Sequence, residues 1–242
     1  MTLVGALADK EPFVRWQAGR TLASLGSRSA LDALLQAVRT PPVARQAAAA
    51  DALGSLRDRR AVPALLEAAR GQHSGLRASA VEALGRIRAS DAAPMLLELL
   101  RDESAGVRQA AAWALGELRD PSAMDALLVR LADAQEHVLV RRTAAWSLGR
   151  VALKPDALVV MAHALEDPDP QVRWHVAYAL GRSRHAALSE SVREGLQALL
   201  DDTGEALQGQ VAEVARQAIR RLRWRGWSTR LFRRRHGGKG GS

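Results

Sequence analysis

The chain has 242 residues, no cysteine, and 35 basic against 26 acidic side chains. Without cysteine, disulfides, thiolate catalysis and cysteine-ligated zinc or iron–sulfur centres are excluded, and a reducing compartment is expected. The charge is uneven: ten basic and no acidic residues lie from Arg216 onward, leaving 25 basic and 26 acidic before them. A mixed-sign body followed by a basic tail is therefore predicted.

The opening residues, MTLVGALADKEPF, have no basic leader region, and their apolar stretch stops at Asp9, so no signal peptide is expected. No window approaches the roughly 18 uninterrupted apolar residues of a membrane span. These features place the protein in the cytoplasm, with peripheral attachment to a membrane surface as a further expectation from the tail. Residues 1–13 are predicted to be an N-terminal capping segment holding one short helix.

From residue 14 to 200 the chain repeats itself. An anchor leucine, usually followed by Gly or Ala, stands at Leu22, Leu53, Leu84, Leu115, Leu148 and Leu180, with Ile219 as a degenerate seventh, at spacings of 31, 31, 31, 33, 32 and 39 residues. Seven residues before the anchor stands an arginine in five repeats (Arg15, Arg77, Arg108, Arg141, Arg173). Between them lies a small pair: Ala18-Gly19, Ala49-Ala50, Ala80-Val81, Ala111-Ala112, Ala144-Ala145 and Val176-Ala177. Small residues at one phase let neighbouring helices approach closely. Each such helix alternates with a Leu-rich one, predicted over 30–38, 61–69, 92–100, 123–131, 156–165 and 192–200. In the fourth repeat Gly116 is read as the end of the first helix, with Asp120-Pro121 opening the second. A period near 31 residues over six copies predicts an all-α array in which each helix pair buries its apolar face on its neighbours. Residues 201–225 are read as a capping helix that starts near Glu205. Residues 226–242 are read as a basic, aromatic tail ending in the flexible GGKGGS.

The phrase VRxxAAxALG followed by Asp and a Leu-rich helix resembles the HEAT-like repeats of the phycobilin-lyase type, best over residues 108–118 and 173–181. The resemblance implies a right-handed α-solenoid of about six to seven helix pairs. Proteins with such repeats include chromophore lyases, assembly chaperones, regulators and adaptors, so the likeness does not select an activity. One HEAT-repeat enzyme type, the di-iron deoxyhypusine hydroxylases, places His-Glu before the Ala-Leu-Gly phrase in several helices. Here only one repeat has a histidine there, in His175-Val176, and the others have Gln17, Ala48, Ser79, Ala110 and Thr143. That ligand set is missing. No HExxH, P-loop, GxSxG or GxGxxG occurs, and a non-enzymatic protein without cofactor or metal is expected.

The resemblance implies that the arginine-bearing helices line the concave side. Residues six, five and two before each anchor then face the groove. In the first three repeats these include Trp16 and Arg20, then Asp51, then Glu82; in the next three they include Gln109 and Trp113, then Arg142 and Trp146, then Trp174, His175 and Tyr178. A register that carries charge in one repeat is normally solvent-facing in the next. An aromatic patch flanked by Arg142 and His175 has the composition of a protein-binding hot spot. Trp113, Trp146, Trp174, His175, Tyr178, Arg142 and Gln109 are therefore the expected partner-binding groove, and Trp16 and Arg20 a secondary one. The alternative is that large aromatics fill gaps between helices. The tail, with Arg220, Arg221, Arg223, Trp224, Arg225, Trp227, Arg230, Phe232, Arg233, Arg234 and Arg235, suits an acidic protein or an anionic membrane surface. Its composition suits nucleic acid equally, but nucleic acid is disfavoured as the main ligand of the groove, because a solenoid wrapping nucleic acid carries a basic stripe along its body. A scaffold or adaptor function is predicted, with a chromophore lyase or cofactor-assembly factor, and a tail-mediated nucleic-acid association, as the alternatives.

Overall fold

A computed structural model describes residues 2–183 and 189–222. The helices are α1 (Leu3–Ala6), α2 (Pro12–Leu25), α3 (Arg28–Ala37), α4 (Val43–Leu56), α5 (Val62–Ala68), α6 (Ser74–Ile87), α7 (Ala93–Leu99), α8 (Ala105–Leu118), α9 (Met124–Ala132), α10 (Val138–Leu148), α11 (Ala157–His163), α12 (Pro170–Arg182) and α13 (Glu190–Ala198). A last helix, α14, covers residues 211–222. The chain divides into two compact units, Met1–Asp120 and Pro121–Ser242. In the first, α2, α4, α6 and α8 pack in series with α3, α5 and α7 against them; in the second, α10 packs on α9 and α12.

The repeat residues are the core. The anchors Leu53, Leu84, Leu115, Leu148 and Leu180 have no exposed surface, and neither do the small pairs from Ala49-Ala50 to Val176-Ala177. In the Leu-rich helices the first leucine of each pair (Leu34, Leu65, Leu96, Leu127) is fully buried, while Leu35, Leu66 and Leu97 are half-buried. Pro63 and Pro94 occupy first-turn positions, where a missing N–H costs little.

Gly116 lies inside α8, which continues to Leu118, so it does not end the helix as its spacing suggested. The glycines at this phase serve close approach instead. A Cβ on Gly54 would stand 2.7 Å from Ala83 Cα, one on Gly85 would stand 2.9 Å from Ala114 Cα, and one on Gly181 would stand 2.8 Å from Ala218 Cα. The last contact puts Ile219 in the anchor register, because Ala83 and Ala114 also immediately precede their anchors. Helix ends are made three residues further on, by Gly26, Arg57, Arg88 and Arg119 in the left-handed conformation (φ 54–58°). Only Gly26 takes this conformation without a Cβ penalty. Arg57→Gly is therefore expected to stabilise the first unit by about 1 kcal/mol, read as a higher urea midpoint with an unchanged m-value.

Residues 205–210, predicted as the start of the capping helix, instead form a two-stranded hairpin, Glu205–Ala206 against Gly209–Gln210. Gly209, at φ 119°, permits the turn. The buried side chain of Gln171 holds it, accepting from Leu207 N–H at 2.8 Å and donating to Gln208.

Candidate partner-binding faces

The repeat arginines form a ladder along the inter-helix turns. Arg77 meets Asp102 through Nε and Nη2, both at 2.9 Å, while its Nη1 donates to the carbonyls of Gly71 and Gln72. Arg141 reaches Asp167 at 2.9 Å, and Arg173 reaches Asp202 at 2.7 Å. Each aspartate also accepts a backbone N–H two residues on, at Ser104, Asp169 and Gly204. Burial raises the Asp102 carboxyl, but the hydrogen bonds from Arg77 and Ser104 N–H and the charges of Arg77 and Arg108 together outweigh it and hold the group below the usual range; Arg173 does the same for Asp202. Arg77 and Arg141 are nearly fully buried, so removing one partner would strand a charge. This ladder ties loops together and offers no open chemistry.

In the first unit a concavity of about 750 Å³ opens on the face formed by α2, α4 and α6. It is lined by Ala44, Ala47, Ala48 and Ala52 together with Trp16, Arg20, Asp51, Glu82 and Arg86. Arg20, Asp51 and Glu82 occupy one register, two residues before their anchors. Trp16, half exposed at 51%, lies against Phe13 with ring centres 5.9 Å apart and the rings tilted by 34°, and carries the Arg20 guanidinium 4.7 Å from its ring centre. Arg86 bridges Glu82 at 2.8 Å and Asp51 at 3.6 Å. Burial against the helices pushes the Asp51 carboxyl up to about 6; Glu82 adds to the rise, and Arg86 and Ser79 oppose it.

A carboxyl whose folded pKa lies above its unfolded value binds its proton more tightly when folded. It contributes stability below about pH 4 that is lost as pH rises through 6. Arg86 and Glu82 from α6, and Arg15 and Arg20 from α2, line the same concavity. Asp51→Asn should therefore raise the melting temperature at pH 7.5, with the gain shrinking towards pH 4.

In the second unit the same register holds Trp146 on α10 and Tyr178 on α12, both half-buried. Arg150 lies 4.6 Å above the Trp146 ring and Arg182 lies 5.5 Å above Tyr178. Trp174 stacks on Tyr178 at 5.3 Å with the rings 10° from parallel, and His175 meets the Trp174 ring edge-on. Arg142 donates to Asp169 at 2.8 Å, which also caps α12. His175, expected in the groove, is instead buried, with its Nε2 2.9 Å from Gln171 Nε2. Burial, with Arg142 adding and Asp169 opposing, lowers its pKa to about 4, so it is neutral at pH 7. It contributes packing to the face and no charge.

Of the other predicted groove residues, Gln109 and Trp113 are half-buried on α8 in the first unit, and a Cβ on Gly85 would come 2.8 Å from Trp113 Cζ3. Trp113 thus covers the glycine of α6, a packing role beside any binding one. In the tail, Arg220 and Arg221 are exposed on α14; Arg223 to Arg235 lie outside the described residues. Arg86, Arg150 and Arg182 escaped the sequence reading. The available signal was their common place four residues after Glu82, Trp146 and Tyr178. No three His, Asp or Glu side chains converge as a metal site among the described residues. None of the described helices is long and apolar enough to cross a membrane.

The family model described as HEAT repeats matches residues 1–54, 41–106, 62–139 and 134–220. No curated protein matches the sequence. Among solved structures, the chain is similar to one from the complex of CpcE and CpcF of phycocyanin lyase from Nostoc sp. PCC7120 (21% identity, 93% and 92% of the two chains, TM-score 0.55). It is also similar to YibA of Escherichia coli (20%, 91% and 91%, TM-score 0.66). An engineered protein matches at 19% identity over 91% of this chain and 67% of its own, with a TM-score of 0.56. These likenesses show an all-α repeat fold.

Proposed function

Since the chain belongs to the HEAT-repeat family, we propose that it is a non-enzymatic scaffold or adaptor that grips a protein or peptide on the aromatic face of its second unit. One observation carries the reading. The register that lines a concavity in the first unit with Arg20, Asp51 and Glu82 is occupied in the second by Trp146 and Tyr178, each under an arginine. Half-buried Trp and Tyr beside Arg are the side chains that dominate binding energy in protein interfaces. The basic tail from Arg223 onward adds a tether to an acidic protein or an anionic surface. Cutting after residue 222 tests this with α14 intact, whereas a cut at 216 would remove the buried Ala218 and Leu222.

A second reading is an assembly factor of the phycobilin-lyase type, supported by the fold-level likeness to a chain solved within a two-protein complex. Affinity purification with the full chain and with Trp146→Ala/Tyr178→Ala distinguishes them. The adaptor reading expects a protein species captured by the first and lost by the second. The lyase reading expects a co-purifying pigment with a visible absorbance band.

A further inference from the structure

Among the described residues the arginine ladder is complete at Arg77, Arg141 and Arg173 and incomplete at Arg15. Arg77, Arg141 and Arg173 each use Nη1 on carbonyls of the loop just ahead, and Nε and Nη2 on an aspartate of the loop that follows. Arg15 has the first half of this arrangement, donating from Nη1 to Asp9 O at 2.8 Å and Lys10 O at 2.9 Å. Among the described residues no carboxylate meets its other edge. The cause lies in the sequence: Asp102 and Asp167 stand thirteen residues before Leu115 and Leu180, and the equivalent place before Leu53 is Thr40. The Thr40 hydroxyl turns back to the Gln36 carbonyl.

The concavity of the first unit opens beside this gap, with Arg15, Trp16 and Arg20 on its wall. Arg86 is matched by Glu82 and Asp51, while Arg20 lies on Trp16 with no ion pair among the described residues. We propose that this concavity docks an acidic stretch of a partner protein. One carboxylate sits on the Nε/Nη2 edge of Arg15, in the place Asp102 and Asp167 hold elsewhere, and a neighbouring apolar side chain lies against Trp16 and Phe13. The planar fork of an arginine suits a carboxylate in bidentate contact. A basic segment would be repelled by Arg15 and Arg20. Nucleic acid fits less well, because the body up to residue 215 has no excess positive charge. This inference rests on the adaptor reading only in taking the chain as a binding protein, since it concerns the other unit.

The test is fluorescence anisotropy on the full chain with three labelled peptides of equal length, each carrying a central leucine flanked by Asp and Glu, by Asn and Gln, or by lysines. A single-stranded oligonucleotide serves as a fourth probe. The acidic peptide is expected to bind at least tenfold more tightly than its amide counterpart. Arg15→Gln should abolish that difference by removing the site, and Thr40→Asp should abolish it by filling the site from within. Thr40→Asp should also raise the melting temperature while Arg15→Gln lowers it, so a common loss of binding cannot come from unfolding. Equal affinity for the acid and amide peptides would overturn the proposal. So would acidic binding that survives Thr40→Asp, as it would if the tail arginines held the peptide, or an oligonucleotide whose binding alone depends on Arg15. None of these outcomes bears on capture by Trp146 and Tyr178, so the two readings fail separately.

Discussion

Alanine at position 85 should destabilise the first unit by about 2–3 kcal/mol, the cost of overpacking a tight contact. Alanine at position 75, in the same helix, should be neutral or stabilising by up to about 1 kcal/mol, the usual gain in helix propensity over glycine. The chemistry of the two substitutions is identical and only the surroundings differ. Nothing lies within 4 Å of a Cβ at Gly75. At Gly85 the new methyl would meet Trp113 Cζ3 at 2.8 Å and both Ala114 Cα and Cβ at 2.9 Å. The tryptophan ring can swing away, but the Ala114 backbone moves only if α8 moves off α6. Gly54→Ala faces the same obstacle at Ala83. Paired urea titrations decide it: if Gly85→Ala and Gly75→Ala shift the midpoint alike, the close approach of neighbouring repeats is not what the glycines serve.

The second large effect is on binding. Trp146→Ala/Tyr178→Ala should weaken partner affinity at least a hundredfold, since truncating one aromatic hot-spot residue costs about 2–4 kcal/mol. Loss of fold is not expected to accompany it. Both side chains are half-buried, and the anchors beneath them, Leu148 and Leu180, are untouched and fully buried. Trp113→Ala is the less clean variant, because that ring also covers Gly85. Trp174→Ala removes the stacking partner of Tyr178 and should give an intermediate loss.

The core was legible from the anchor spacing because one leucine, one small pair and one arginine recur at fixed phase, and every repeat must satisfy the same stacking geometry. The roles of individual residues were less so. Gly116 reads as a helix end because glycine commonly is one, yet its siblings Gly54 and Gly85 are spacers and the turns fall to Arg57, Arg88 and Arg119. Residues 205–210 read as helix because Glu, Ala, Leu and Gln favour it; a contact with Gln171, distant in sequence, overrides that propensity. His175 stands in the register of Ala48 and Ser79, which line the concavity of the first unit, yet it lies buried against Gln171, a contact that the repeat spacing does not specify. The cation–π pairs and the vacant edge of Arg15 depend on side-chain partners, which periodicity alone does not specify.

Protein binding by the aromatic face of the second unit is tested most directly by calorimetric titration of the purified captured partner into the wild-type chain and into Trp146→Ala/Tyr178→Ala, with circular dichroism of both. The expected result is an affinity lost at least a hundredfold with helicity unchanged. Undiminished affinity in the double variant would contradict it.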